Sequence, residues 1–302
     1  MKQFSLLLSL LFVVFTACQK TETEWTPTNS GSKAAITTPG SKGNIGPVPN
    51  RFTQKVLIES FTSANEGLSP VAHEKLNQFV LPTNSNVIGV NIHTNDAMVS
   101  SMYSSITDLY TLPHEVPGGM VNRSIEPVSG TYSYSPTDWD TPVASESQNF
   151  AGCGLAIRAG SLGNTANIDV QVGFTSLIST NLTVNVYLIE HDMSGTGIGF
   201  DQANAFDLDN RTSFFSLGDP IVGYKHNHVL RDVLTAPWGD AITSHVQTPG
   251  GSEAFNFTAN ITGYDPAKTH VVAFITEHTA GSSIGKVLNV QTAPLNSLKN
   301  WD

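Results

Sequence analysis

From about Gly152 onward the chain is a succession of short apolar runs with no helical pattern between them, and that rhythm restricts the fold more than any other feature. Leu155–Arg158, Ile168–Phe174, Leu182–Glu190, Ile221–Arg231, Ala254–Ile261, His270–Glu277 and Lys286–Gln291 each read as a strand. Clusters of Gly, Asn, Pro and Asp separate them and supply the conformations that turns require. Val184, Val186 and Leu188 alternate with Asn185 and Tyr187, the period of two that sends neighbouring side chains to opposite faces. Such a series predicts an antiparallel, immunoglobulin-like β-sandwich over residues 152–302.

Residues 51–151 follow a different rule. Val56–Phe61 is a β-rich run, and Pro70 then suits the first turn of a helix. Ala72, Leu76, Phe79 and Val80 follow on one helical face. Asn86–His93 reads as a second strand, and Met98, Met102, Ile106 and Leu109 as a second helix. Met120–Asn122 begins a third strand, and 137–151 fits a short closing helix. Strand and helix in alternation imply an α/β layer with a partly parallel sheet. The fold class expected is therefore α/β followed by all-β.

The N-terminus carries its own instruction. Lys2 precedes the apolar run Leu6–Phe15, which Thr16-Ala17-Cys18 closes. A run this short is a signal-peptide core, since a spanning helix needs about 20 apolar residues. Residues 1–17 are expected to be removed and Cys18 acylated, palmitate being the expected class of chain. Residues 18–50, rich in Thr, Ser, Gly and Pro, then form a flexible tether. The formal charge of −10 becomes −11 once Lys2 is removed, and no basic stripe offers a nucleic-acid surface. Cys18 and Cys153 are the only cysteines, so stability must come from burial without a disulfide framework.

Val56–Thr62, followed by Glu66-Gly67-Leu68-Ser69-Pro70, resembles the active-site approach of thioredoxin-like proteins. In that pattern Glu66 and Ser69 stand where two redox cysteines would be, and Val116-Pro117 before Gly118–Arg123 resembles the family's cis-proline turn. Tyr224–Arg231 and Val287–Gln291 look like strands of the outer-membrane protein twenty-eight-related lipoproteins. Lipobox, tether, thioredoxin-like half and β-rich half occur in that family's order. The resemblance implies a surface lipoprotein concerned with adhesion or binding, with members that often keep Cys-x-x-Cys. This chain does not keep it.

Thiol–disulfide exchange needs an attacking thiolate and a second thiol to release the mixed disulfide. Neither Glu66 nor Ser69 can serve, and Cys153 lies far along the chain from the helix start. His226 and His228 alternate and would project from one face of a strand, but spacing selects no further ligand among His191, His245, His270 and His278. Asp201, Asp207, Asp209 and Asn210 lack the spacing of a calcium loop. No metal and no cofactor is expected, and no Gly-x-Ser-x-Gly, His-Glu-x-x-His or phosphate-loop motif occurs. The expectation is a non-enzymatic lipoprotein facing the cell exterior. It would be held on the outer membrane by its anchor and would bind an extracellular protein or glycan. A thiol-handling envelope protein working through Cys153 and a carbohydrate-binding accessory lipoprotein are the alternatives.

Overall fold

The run VLIESFT forms strand β1 (Val56–Thr62), and every one of its side chains is buried. A strand can be buried on both faces only when something covers each of them. The computed structural model describes residues 44–81, 85–110, 116–127, 130–279 and 285–302. The expected signal peptide, Cys18 and the tether up to residue 43 lie outside the described residues.

One face of β1 is covered by helix α1 (Ser69–Val80), which packs Ala72 and Leu76 against Val56 and Ile58. Pro70 occupies the first turn of α1, where its missing N–H leaves no bond unmade. Strand β2 (Val87–His93) runs parallel to β1, and β3 (Gly118–Val121) runs antiparallel on its other side. A Cβ on Gly119 would lie 2.8 Å from Trp139 and 2.9 Å from the Glu59 carbonyl, so β3 reaches β1 only as glycine. Helix α2 (Tyr103–Tyr110) links β2 to β3 and starts later than Met98. The Met98 amide instead donates to the Asp96 carboxylate at 2.8 Å. Helix α3 (Asp140–Glu146) follows, carrying Val143 into the core with Trp139.

The second half supplies β4 (Cys153–Leu162), β5 (Thr165–Phe174), β6 (Asn181–Glu190), β7 (Val229–Val233), β8 (Asp240–Ala241), β9 (Ser252–Asn260), β10 (Thr269–His278), β11 (Gly285–Pro294) and β12 (Ser297–Lys299). An antiparallel sheet in the order β12-β4-β5-β9 lies against one face of β6, β10 and β11. Ile157, Ile168 and Val170 meet Val184, Val186 and Val271 across that sandwich.

The larger sheet does not stop at the boundary expected between 151 and 152. Its order is β11-β10-β6-β7-β2-β1-β3, with β8 on β6, so strands of both halves share one mixed sheet. The join is parallel and short: Asn91 of β2 pairs with Val229 of β7. The sheet also curls, since the Val287 amide of β11 donates to the Asn122 carbonyl beyond β3 at 2.9 Å. Leu57, Phe61, Ile92, Met120, Phe274 and Val290 fill the interior of the curl. This explains why β6 is buried on its Asn185 and Tyr187 face as well as on its valine face.

One predicted strand is corrected. Ile221–Arg231 is extended only from Val229, because Gly223 (φ 69°) and His228 (φ 57°) take left-handed backbone conformations that break an extended run. Residues before Val229 belong to a long loop that follows β6.

A charge sits inside the curl. Glu59 of β1 accepts two bonds from the Arg123 guanidinium, at 2.7 and 2.8 Å, and Arg123 also donates to the Tyr187 hydroxyl at 2.8 Å. Both charged side chains are almost fully shielded from solvent. Arg123→Met would leave the carboxylate buried without a counter-charge, with the Tyr187 hydroxyl at 3.3 Å still donating to it, an expected loss of about 3–5 kcal/mol. Urea unfolding at pH 7 checks this, and the Glu59→Gln/Arg123→Met chain should lose less than Arg123→Met does. Equal losses in the two chains would show no coupling between the partners.

Candidate functional site

β1 ends at Thr62, and α1 starts at Ser69 after a short turn. Ser69 is buried, and its hydroxyl accepts the Ser63 amide at 3.3 Å. Glu66 is half-buried and accepts the Leu68 amide at 3.2 Å. The Val116–Pro117 peptide is cis, and the pairing of Gly118 with Phe61 sets Pro117 beside the same end of β1. The structure thus gathers Glu66, Ser69, Pro70 and Pro117 at one end of the sheet.

That end is covered by the chain itself. In the loop between β6 and β7, the Ala203 amide donates to the Ala64 carbonyl at 2.7 Å and the Ala205 amide to the Gly67 carbonyl at 3.0 Å. The Gln202 side chain donates to the Ser63 and Glu66 carbonyls at 3.3 and 3.0 Å. The carbonyls of the turn between β1 and α1 are thus occupied by this loop.

The other sequence candidates divide. Cys153 lies on β4 in the sandwich core, a free thiol that burial pushes up to about 12. Asp201 and Asp207 accept loop amides, from Gly223 at 2.9 Å and Gly218 at 2.7 Å respectively. Asp209 is paired with Arg211, whose hydrogen bonds hold its carboxyl down to about 2. These carboxylates brace turns, and among the described residues they form no cluster able to hold a metal ion.

His226 and His228 do not share a face. The left-handed backbone at His228 turns the two imidazoles into separate groups. His228 meets His191 and His270, with His191 at ring distances of 4.5 and 4.6 Å from the other two. Burial holds His228 down to about 3 and His191 to about 4.

His226 joins His73 of α1 and His93, the last residue of β2. One nitrogen from each of these three buried side chains lies within 4.8 Å of the others. The folding logic is local: parallel pairing sets His93 opposite Thr62, and the Thr62 hydroxyl lies 2.8 Å from His73 Nε2. Bridging of Met193 with His226 then draws the loop inward. His93 Nδ1 contacts the Asp96 carboxylate at 2.6 Å, and His226 Nε2 donates to the Phe200 carbonyl at 2.8 Å. Tyr224 places its hydroxyl 3.2 Å from His73 Nδ1. Burial, reinforced by the neighbouring imidazoles, lowers His73 well below its ordinary value and takes His226 to about 4. Sequence reasoning missed His73, His93, Asp96 and Tyr224. They come from α1, the end of β2, the turn after it and the loop before β7, and spacing along the chain does not reveal that these segments meet.

A family model described as outer membrane protein Omp28 matches residues 106–299. Among solved structures, HBP35 of Porphyromonas gingivalis is similar at 16% identity and a TM-score of 0.63, over 81% of this chain and 76% of that one. Protein AGR_C_4864 from Agrobacterium tumefaciens is similar at 12% identity and a TM-score of 0.51, over 81% and 95% of the two chains. Likeness at these identities concerns the fold alone. No curated protein matches the chain.

The burial of Cys153 has a measurable consequence. The native chain should reduce insulin no faster than its Cys153→Ser variant, and the thiol should react with an aromatic disulfide only after unfolding. Turnover above that variant would contradict the placement of Cys153.

Proposed function

Because the chain belongs to the outer membrane protein Omp28 family, we propose that it is a lipid-anchored binding module displayed on the outer membrane, not a thiol oxidoreductase. Membership puts it at the outer membrane. Acylation of Cys18 would hold it there, and the tether from 18 to 50 would carry the folded part away from the lipid. No helix of the described residues is long and apolar enough to cross a membrane. The order β1-α1-β2-α2-β3, with Pro117 beside the start of α1, favours a thioredoxin-like origin for the first half. The loss of both redox cysteines favours a role as scaffold.

The observation that carries the binding role is the loop between β6 and β7. It leaves Ile198 98%, Leu208 91% and Val222 76% exposed, with Leu217 and Phe215 also at the surface. Five of the twelve large apolar side chains exposed among the described residues lie in this one loop, the others being spread along the chain from Leu68 to Leu177, and such a concentration marks a contact surface. Aliphatic groups of this kind suit an apolar patch on a protein better than a polar glycan.

An array of extracellular proteins and glycans, probed with the purified chain, tests the reading. The triple variant Ile198→Asp/Leu208→Asp/Val222→Asp should keep its melting temperature within a few degrees and lose at least tenfold in binding to protein spots. Unchanged binding by that variant, or binding confined to glycans, would remove the loop from the function.

A further inference from the structure

We propose that His73, His93 and His226 form a three-imidazole site for a borderline divalent cation of the zinc class. This goes beyond the binding role above and stands on separate observations.

The first is convergence. Three buried imidazoles, one each from α1, β2 and the loop after β6, bring one nitrogen apiece to within 4.8 Å of one another. Tetrahedral zinc with bonds of about 2.0–2.1 Å needs its nitrogens about 3.3 Å apart, so the three must close inward slightly around an ion. The donor set is all nitrogen, with no thiolate, which suits zinc, copper or nickel and not calcium or magnesium.

The second is the pattern of partners. His93 Nε2 and His226 Nδ1 are buried and have no hydrogen-bond partner. An orphaned buried polar atom costs about 1–3 kcal/mol, so a folded chain rarely retains two side by side without a use. In each ring the other nitrogen is engaged by the group that orients a metal-bound imidazole. His93 Nδ1 meets the Asp96 carboxylate and His226 Nε2 the Phe200 carbonyl. Those outer bonds place the proton away from the cluster and leave the lone pair on the orphaned nitrogen.

The third is the rigidity of the outer shell. Asp96 is itself fixed by the Ala64 and Met98 amides at 2.7 and 2.8 Å, and its side chain is fully buried. The hydroxyls of Thr62 and Tyr224, now on either nitrogen of His73, can rotate aside, and either can supply a fourth, oxygen ligand. An ion here would tie the loop carrying Ile198, Leu208 and Val222 to α1 and β2.

The test uses the full chain, purified without a histidine tag, stripped with chelator and titrated with Co²⁺ and then Zn²⁺. One equivalent of Co²⁺ per chain should bind, with the visible absorption of a tetrahedral site, and Zn²⁺ should displace it. His93→Gln and His226→Gln should each abolish that equivalent, while His191→Gln should retain it. Asp96→Asn, which keeps all three ligands, should weaken binding 10- to 100-fold. Circular dichroism identifies any variant that fails to fold, and the comparison of Asp96→Asn with the parent then decides. Absence of uptake, uptake that survives in folded His93→Gln and His226→Gln, uptake lost in His191→Gln, or unchanged affinity in Asp96→Asn would each overturn the proposal.

Discussion

Glu59 lies in the middle of a strand whose two faces are both covered, so its carboxylate has no water to solvate it. Burying an isolated charge is prohibitive, and the chain must bring a cation to it or fail to close. Arg123 arrives because Asn122 and Arg123 take left-handed conformations just past β3, at φ 47° and 52°. Asn122 meanwhile accepts the Leu57 amide at 2.8 Å through its side chain. The guanidinium lies over the Phe274 ring and bonds the Tyr187 hydroxyl, both on strands of the second half. One charge pair therefore holds the α/β layer against the inner face of the sheet that also builds the sandwich.

From that junction the candidate site follows. β7 joins β2 at Asn91 and Val229, and the chain before it lies over the ends of β1 and β2, where the Ala203 amide donates to the Ala64 carbonyl and His226 reaches His93. The Asn91 amide takes the His228 carbonyl at 2.7 Å, which fixes the approach. The loop before it lies across the start of α1, covers the turn holding Glu66 and Ser69, and delivers His226 to His73 and His93. A thioredoxin-like arrangement would place sulfur chemistry at this end of the sheet. Here nitrogen donors have gathered nearby instead.

Much of the architecture was legible in the sequence. Six of the seven β-rich runs of the second half coincide with strands, Ala254–Ile261 running one residue past β9, since period-two alternation survives folding unchanged. The family resemblance pointed to Pro117, and its peptide is cis. The exception, Ile221–Arg231, failed because apolar content cannot report a left-handed residue such as His228. The shared sheet was also hidden. A parallel join of one residue pair leaves no mark in the pattern, whereas the polar face of β6 was visible and only its burial was not. Glu59 inside VLIESFT was a readable sign, because a charge in the middle of a run that reads as a buried strand demands a partner. His73, His93 and His226 were unreadable as a group, because three-dimensional packing alone brings them together.

The loop between β6 and β7 is an integral part of the folded unit and seals the end of β1 and α1. Native-state hydrogen exchange on the Ala203 and Ala205 amides tests it most directly, since both donate to the turn at Ala64 and Gly67. Both amides should show protection comparable to that of the β7 amides, with opening through the same cooperative event. Exchange at the rate of an unstructured peptide, while β6 and β10 stay protected, would contradict it.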